Sequence, residues 1–236
     1  MLSLSNGLNI KNMQVDTLNR LRLTFNANGP LRWIGHLDLV RTWERAIRRS
    51  GLRLAYSKGY TPHPRIALAA PLAVGISGQN ELMDIWLEND ILPLQAQKEL
   101  SAVLSPGLSI QSTKLVALDL PPMQSLLKSA IYEVSFNLND LDKQQTTESI
   151  DELLGKDTLN WEEVRGKKKR MYDLRATIID LQLISKKNTD LLMIMNLSME
   201  EKRTGRPNQI LKALNIDVDP RNMIRTQIEM FSEKVN

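Results

Sequence analysis

The chain switches its hydrophobic period early, and that switch constrains the fold more than any other sequence feature. Residues 20–25 (RLRLTF) alternate, so that Leu21, Leu23 and Phe25 share one side, the pattern of a half-buried strand. After the Gly29-Pro30 turn, Leu37, Val40, Trp43 and Ile47 recur at intervals of three or four. This spacing predicts a helix over 37–50 with one buried stripe, ended by Gly51. Asp38, Arg41, Arg45 and Arg48 fall on a different face. A strand feeding directly into an amphipathic helix needs a sheet for that helix to cover.

The remaining chain supplies the strands. Residues 52–56, 66–76 and 81–87 read as strands, with a helix over 93–104 that has Pro93 in its first turn and Gly107 beyond its end. Residues 108–116 close the unit. This is the β-α-β-β-α-β order of the ferredoxin-like arrangement. The Pro121-Pro122 pair punctuates the chain, and a similar order follows. Its strands are expected at 131–138, 175–184, 191–199 and 223–231, and its helices at 146–154, with Thr146 as cap, and 207–214. No element is assigned to residues 158–174. The expected fold class is therefore α+β: two tandem ferredoxin-like (βαββαβ) domains with antiparallel sheets. A flexible leader is expected over 1–18, the first domain over 19–118, a linker over 119–129 and the second domain over 130–236. The repeat is one of element order, not of residues.

With 236 residues the chain can bury a core in either one large domain or two of about 110 residues. A 42% hydrophobic and 25% charged composition is that of a soluble globular protein. There is no cysteine, which excludes disulfides, zinc–cysteine sites and an iron–sulfur cluster held by this chain's own thiolates. The net charge of +4 permits a polyanionic partner without demanding one. Residues 1–16 lack the basic and apolar regions of a signal peptide, and no stretch approaches the roughly 18 apolar residues of a membrane span. A cytoplasmic location without membrane attachment is the expectation.

Three constellations are candidates for anion or nucleic-acid binding. His36 and Asp38 open the first helix, where free backbone N–H groups attract anions, and Arg41 and Arg45 extend that attraction along it. Tyr60-Thr61-Pro62-His63-Pro64-Arg65 presents His63 from a loop stiffened by two prolines. The tract Arg165-Gly166-Lys167-Lys168-Lys169-Arg170 carries five positive charges in six residues, and Arg206 leads into a later helix. The binding set is thus His36, Asp38, Arg41, Arg45, Tyr60, His63, Arg65, Lys167, Lys168, Lys169, Arg170 and Arg206. Each feature also has a plain structural reading as solvated surface. His36 and His63, the only histidines, form an alternative acid–base pair for RNA cleavage. His36, His63 and Asp38 lack tight metal-ligand spacing, and no metal is expected.

The segments GHLDLVRTWERAIRRSGLRLAYSKGYTPHPRIALAAPLAVG, YDLRATIIDL and RTGRPNQILKAL resemble the radical-SAM-linked uncharacterised protein family, a DUF2344-type domain. The resemblance covers nearly all of residues 20–231. One departure is Gly35, where a serine is expected before the histidine. The resemblance implies a partner encoded nearby or fused in relatives, a B12-binding-type radical SAM protein. That partner would carry the iron–sulfur cluster, S-adenosylmethionine and, as a further candidate, cobalamin, with no cofactor on this chain. The expectation is an accessory module that holds RNA such as tRNA or rRNA and is not itself catalytic. The alternatives are a metal-independent ribonuclease or RNA-modifying enzyme using His36 and His63, and a protein-interaction partner only.

Overall fold

A computed structural model describes residues 18–88, 90–166, 168–186 and 190–232. Among the described residues are four α-helices and a large, mostly antiparallel sheet, a mixed α+β fold. In the first half, β1 (Asn19–Ala27) lies between β3 (Ser77–Leu87) and β4 (Leu108–Val116), and the short β2 (Ile66–Leu68) pairs with β3. The strand order is therefore β4-β1-β3-β2. In the second half, β9 (Asp190–Glu200) lies between β5 (Leu127–Asn137) and β8 (Ile178–Lys186), and β11 (Asn222–Met230) flanks β5. That order is β8-β9-β5-β11, and the two-residue β10 (Arg203–Thr204) continues the edge of β9.

The two halves share one sheet. β3 and β11 run parallel, with Ser77 opposite Ile224 and Gly78 opposite Arg225. The separate antiparallel sheets expected from the sequence are corrected here to a continuous sheet with one parallel seam. The seam exists because β2 occupies only the Leu87 end of β3's outer edge. The strand expected over 66–76 stops at Leu68, and the chain then leaves the edge, freeing it for β11. Residues 52–56 likewise form only bridges, Leu54 to Leu87 and Tyr56 to Pro64.

The helices cover one side of the sheet. α1 (His36–Arg49) buries Leu39, Trp43, Ala46 and Ile47 against Leu21, Leu23 and Phe25, and the rings of Phe25 and Trp43 meet edge to face at 5.0 Å. The buried stripe is rotated from the expected one: Leu37 stands in the first turn and is 68% exposed. α2 (Pro93–Ser101) adds Ala96 and Leu100 to this core. α3 (Lys143–Leu154) begins three residues before the expected start, because Asp142 rather than Thr146 caps it, accepting from the Gln145 N–H at 2.9 Å. α4 (Pro207–Ala213) packs Ile210 and Leu211 inward. Residues 160–173, unassigned from sequence, form a hairpin of β6 (Asn160–Arg165) and β7 (Lys168–Asp173) turned at Gly166, whose φ is 60°.

Candidate functional site

Sites follow from where the seam leaves space. The segment after β2, Ala69 to Ile76, faces the segment between β10 and α4, and a cavity of about 310 Å³ lies between them. Pro71, Leu72 and Ile76 come from the first half, and Met199, Tyr132 and Gln209 from the second. Gly205 lets the second segment lie flat: its N–H donates to the Ser198 carbonyl at 2.9 Å, and a Cβ there would sit 2.9 Å from Thr177 Oγ1.

Every charge at this cavity has a partner. The Arg225 guanidinium, fully buried, donates to both Glu81 oxygens at 2.8 and 2.6 Å and to the carbonyls of Pro71 and Ala70. Glu81 holds its charge above the ordinary arginine range despite the burial that opposes it. Gly78 leaves room for that carboxylate, since a Cβ would come within 2.5 Å of Glu81 Cγ. Arg206 pairs with Glu163 of β6, whose Oε1 also accepts from Gln209 Nε2 at 3.4 Å. Gln209 is 9% exposed and its Oε1 is buried without a donor. The Tyr172 hydroxyl, beside Glu163, Gln209 and Arg206, is also buried without a hydrogen bond of normal geometry. Burial first, and the Glu163 carboxylate second, push its pKa up.

The residues singled out from sequence fall into three groups. His36, Asp38 and Arg41 lie at the start of α1, where Gly35 makes no side-chain cap. Asp38 pairs with Arg41 at 3.1 Å, and His36 is half-buried with Nδ1 unpartnered. Just before this end, the Trp33 ring packs 3.7 Å from the Cβ position of Gly75, at a recess separate from the cavity. Tyr60, His63 and Arg65 lie at the other end of the first half. Tyr60 and His63 are exposed on a loop closed by two hydrogen bonds between Ser57 and His63, and the Arg65 guanidinium covers Trp86 at 4.7 Å. Arg65 pairs beside Trp86, whereas α1 starts beyond the Gly78 end of β3. That is about 25 Å along the strand, so His36 and His63 do not form the acid–base pair considered from sequence.

The third group is the β6–β7 hairpin. Lys169 pairs with Glu162 at 2.9 Å, and the Arg170 guanidinium lies 5.5 Å from the Tyr172 ring. Lys168 opens β7, and Lys167 lies outside the described residues. Arg206 is engaged by Glu163 rather than open to an anion, and α4 is only seven residues long. Arg45 is exposed, with no ion pair among the described residues. No group of three or more metal-binding side chains occurs among the described residues, and no described helix is long and apolar enough to cross a membrane.

Sequence reasoning missed Trp33, Tyr132, Glu163, Gln209 and Arg225. Two of the segments that carry the family resemblance, ALAAPLAVG and RTGRPNQ, supply facing walls of the cavity, a signal readable only once their approach is known.

Fold and site together define an α+β protein in which two halves of one sheet enclose a largely apolar cavity rimmed by paired charges. The family described as "Uncharacterized protein conserved in bacteria (DUF2344)" matches residues 20–207, and the chain belongs to it. No curated protein matches the chain in sequence. Among solved structures it is similar to a chain of a Cbf5-Nop10-Gar1 complex, with a TM-score of 0.49 and 11% identity over 88% of this chain and 48% of that one. A chain of an H/ACA RNP bound to a substrate RNA containing 2'-deoxyuridine gives a TM-score of 0.43 and 13% identity over 89% and 47%. A chain of the archaeal box H/ACA sRNP Nop10-Cbf5 complex gives 0.41 and 11% over 92% and 49%. The chain spans about half the length of these three, and likeness at this level carries no function across.

Proposed function

We propose that the protein is an RNA-binding accessory module, not itself catalytic, that works in the cytoplasm beside a radical SAM enzyme. The observation that carries RNA binding is an exposed aromatic ring near each end of α1, one of them paired with a cation. Trp33 is 62% exposed with the Arg32 guanidinium 4.6 Å from its ring, and Tyr60 is wholly exposed between Lys58 and His63. Rings of this kind stack on bases of any sequence while nearby cations follow the backbone. Arg45 and the β6–β7 hairpin add charge for phosphates. The radical SAM partner rests on the sequence resemblance. It agrees with a chain that has no cysteine to hold a cluster of its own. We read the two strand orders, β4-β1-β3-β2 and β8-β9-β5-β11, as two ferredoxin-like units fused edge to edge.

Filter binding of total tRNA at about 50 and 200 mM salt tests the RNA reading, since an interface contacting several phosphates weakens steeply over that range. Arg45→Ala with Lys169→Ala is expected to lower affinity and flatten the salt slope by about one unit per lost phosphate contact. Retention unchanged by salt and by these substitutions overturns the reading.

A second reading is that this surface meets the partner protein instead. Trp33, Leu37 and Val74 are 62%, 68% and 57% exposed, and apolar side chains beside arginines also suit an acidic protein surface. Co-purification from the native host separates the two: recovery of a radical SAM protein without RNA favours this one.

A further inference from the structure

Resting on the RNA reading, we propose that the cavity at the β3–β11 seam receives a single unstacked nucleobase. Arg225 is held by Glu81 and Arg206 by Glu163, so the cavity is close to neutral and neither guanidinium is open to an anion. A phosphate or carboxylate ligand would have to displace a carboxylate already in contact. A neutral ring has no such competitor.

The walls suit a ring. Pro71, Leu72, Ile76 and Met199 are apolar, and about 310 Å³ is at the small end of ligand pockets, enough for one ring system rather than a folded peptide. Enzymes and binding proteins that take a base out of the stack hold it between apolar faces and read its edge with a few hydrogen bonds. Gln209 supplies such a contact. Its Nε2 is turned toward Glu163, and its buried Oε1 has no hydrogen bond of normal geometry, although the Tyr172 hydroxyl lies beside the amide. An unpaired buried amide oxygen is costly, and the ring N–H or exocyclic amine of a base can donate to it.

The surroundings suit the rest of a strand. The β6–β7 hairpin reaches the cavity through Glu163, while the exposed Trp33 ring packs against Gly75 at a neighbouring recess, one residue along from Ile76 of the cavity wall. A neutral recess beside a basic hairpin places the base inside and the phosphates outside.

The test uses the full chain and two short single-stranded RNAs of one sequence, one intact and one lacking its central base. Wild type is expected to bind the intact RNA about tenfold more tightly, the scale of one base–side-chain stacking contact. Ala73→Leu, which projects into the cavity from an exposed position, is expected to bind both RNAs alike, at the wild-type affinity for the abasic one. Ala73→Ser controls for the substitution itself and should keep the tenfold preference. Equal, salt-sensitive binding of both RNAs by wild type overturns the base pocket and leaves RNA binding standing. Failure to bind either RNA removes the reading on which the pocket rests. Millimolar adenosine or uridine is the last arm: a thermal shift in wild type but not in Ala73→Leu, without preference for the intact RNA, assigns the cavity to a free nucleoside instead.

Discussion

β3 carries two buried carboxylates three residues apart, Glu81 and Asp84, which an extended strand directs to opposite faces of the sheet. They do different work. On the helix-free face, Asp84 receives two guanidiniums: Arg20 at 2.8 and 2.6 Å and Arg22 at 2.8 and 3.1 Å. Arg20 in turn donates to the carbonyls of Leu120 and Pro121, at 2.6 and 3.3 Å, so this cluster fastens the connector that leads to the second half. On the helix-covered face, Glu81 receives only Arg225, across the seam, and Arg225 also holds the carbonyls that begin the cavity wall. One carboxylate ties down the connection between the halves, and the other sets their distance at the site. Damage to either cluster should cost stability, but only damage to the second should also loosen the cavity.

The largest effect is expected from Asp84→Ala. Removing one partner from a buried ion pair costs about 3–5 kcal/mol, and here two guanidiniums lose their shared acceptor. Domains have about 5–15 kcal/mol in total, so urea denaturation should show most of the stability gone. Glu81→Leu alone should cost a similar amount by leaving Arg225 unpaired. Adding Arg225→Met should recover most of it, because replacing both members of a buried pair with apolar groups is often nearly neutral. A single added substitution should rescue Asp84→Leu less well, since two guanidiniums share that acceptor. If Asp84→Leu with Arg20→Met recovers fully, the two clusters are equivalent and the distinction fails.

A smaller effect isolates the seam without touching a charge. Gly78→Ala brings a methyl to within 2.5 Å of Glu81 Cγ, so the carboxylate must shift away from Arg225. The overpacking should cost about 1–3 kcal/mol. Because Arg225 holds the Ala70 and Pro71 carbonyls, the same change is expected to weaken discrimination at the cavity, read as a reduced preference for intact over abasic RNA. Loss of stability with that preference intact would uncouple the seam from the site.

The periodic parts of this molecule were legible in the sequence because local pattern records burial on one face. β1, α1, β4, β5 and β9 lie where alternation or three-four spacing put them, and the stripe expected for α1 erred in including Leu37 and in leaving out Leu39 and Ala46. What failed was non-local. Residues 66–76 are apolar enough for a strand, yet only three of them pair, because β11, more than a hundred residues later, takes the rest of that edge. The hairpin over 160–173 has little one-sided burial to record, and its charges hid it. Of the candidate surface, the cations of α1 were readable from spacing, as were the ends of the proline loop. The cavity was not: Gln209, Tyr132 and Arg225 belong to three elements whose meeting depends on the seam, and Arg225 sat unremarked within an apolar strand pattern.

The smallest predicted effect sits behind the cavity, beside Glu163 and Gln209, and depends on pH. The Tyr172 hydroxyl is held above its ordinary pKa near 10, by burial and then by Glu163. Folding therefore favours its protonated form. Between the unfolded and folded pKa values the native state binds more protons than the unfolded state, so stability falls as pH rises. The contribution is whole below about pH 10 and is lost as pH passes upward through the folded value. Tyr172→Phe removes the titration while keeping the ring over which Arg170 lies. Its stability should differ little from wild type at neutral pH, and its denaturation curves should decline less steeply above about pH 10. Parallel alkaline declines in the two proteins would mean that the hydroxyl is solvated and lies outside the buried polar set. A shallower decline in the variant would place the hydroxyl within the same buried polar set as Glu163 and Gln209.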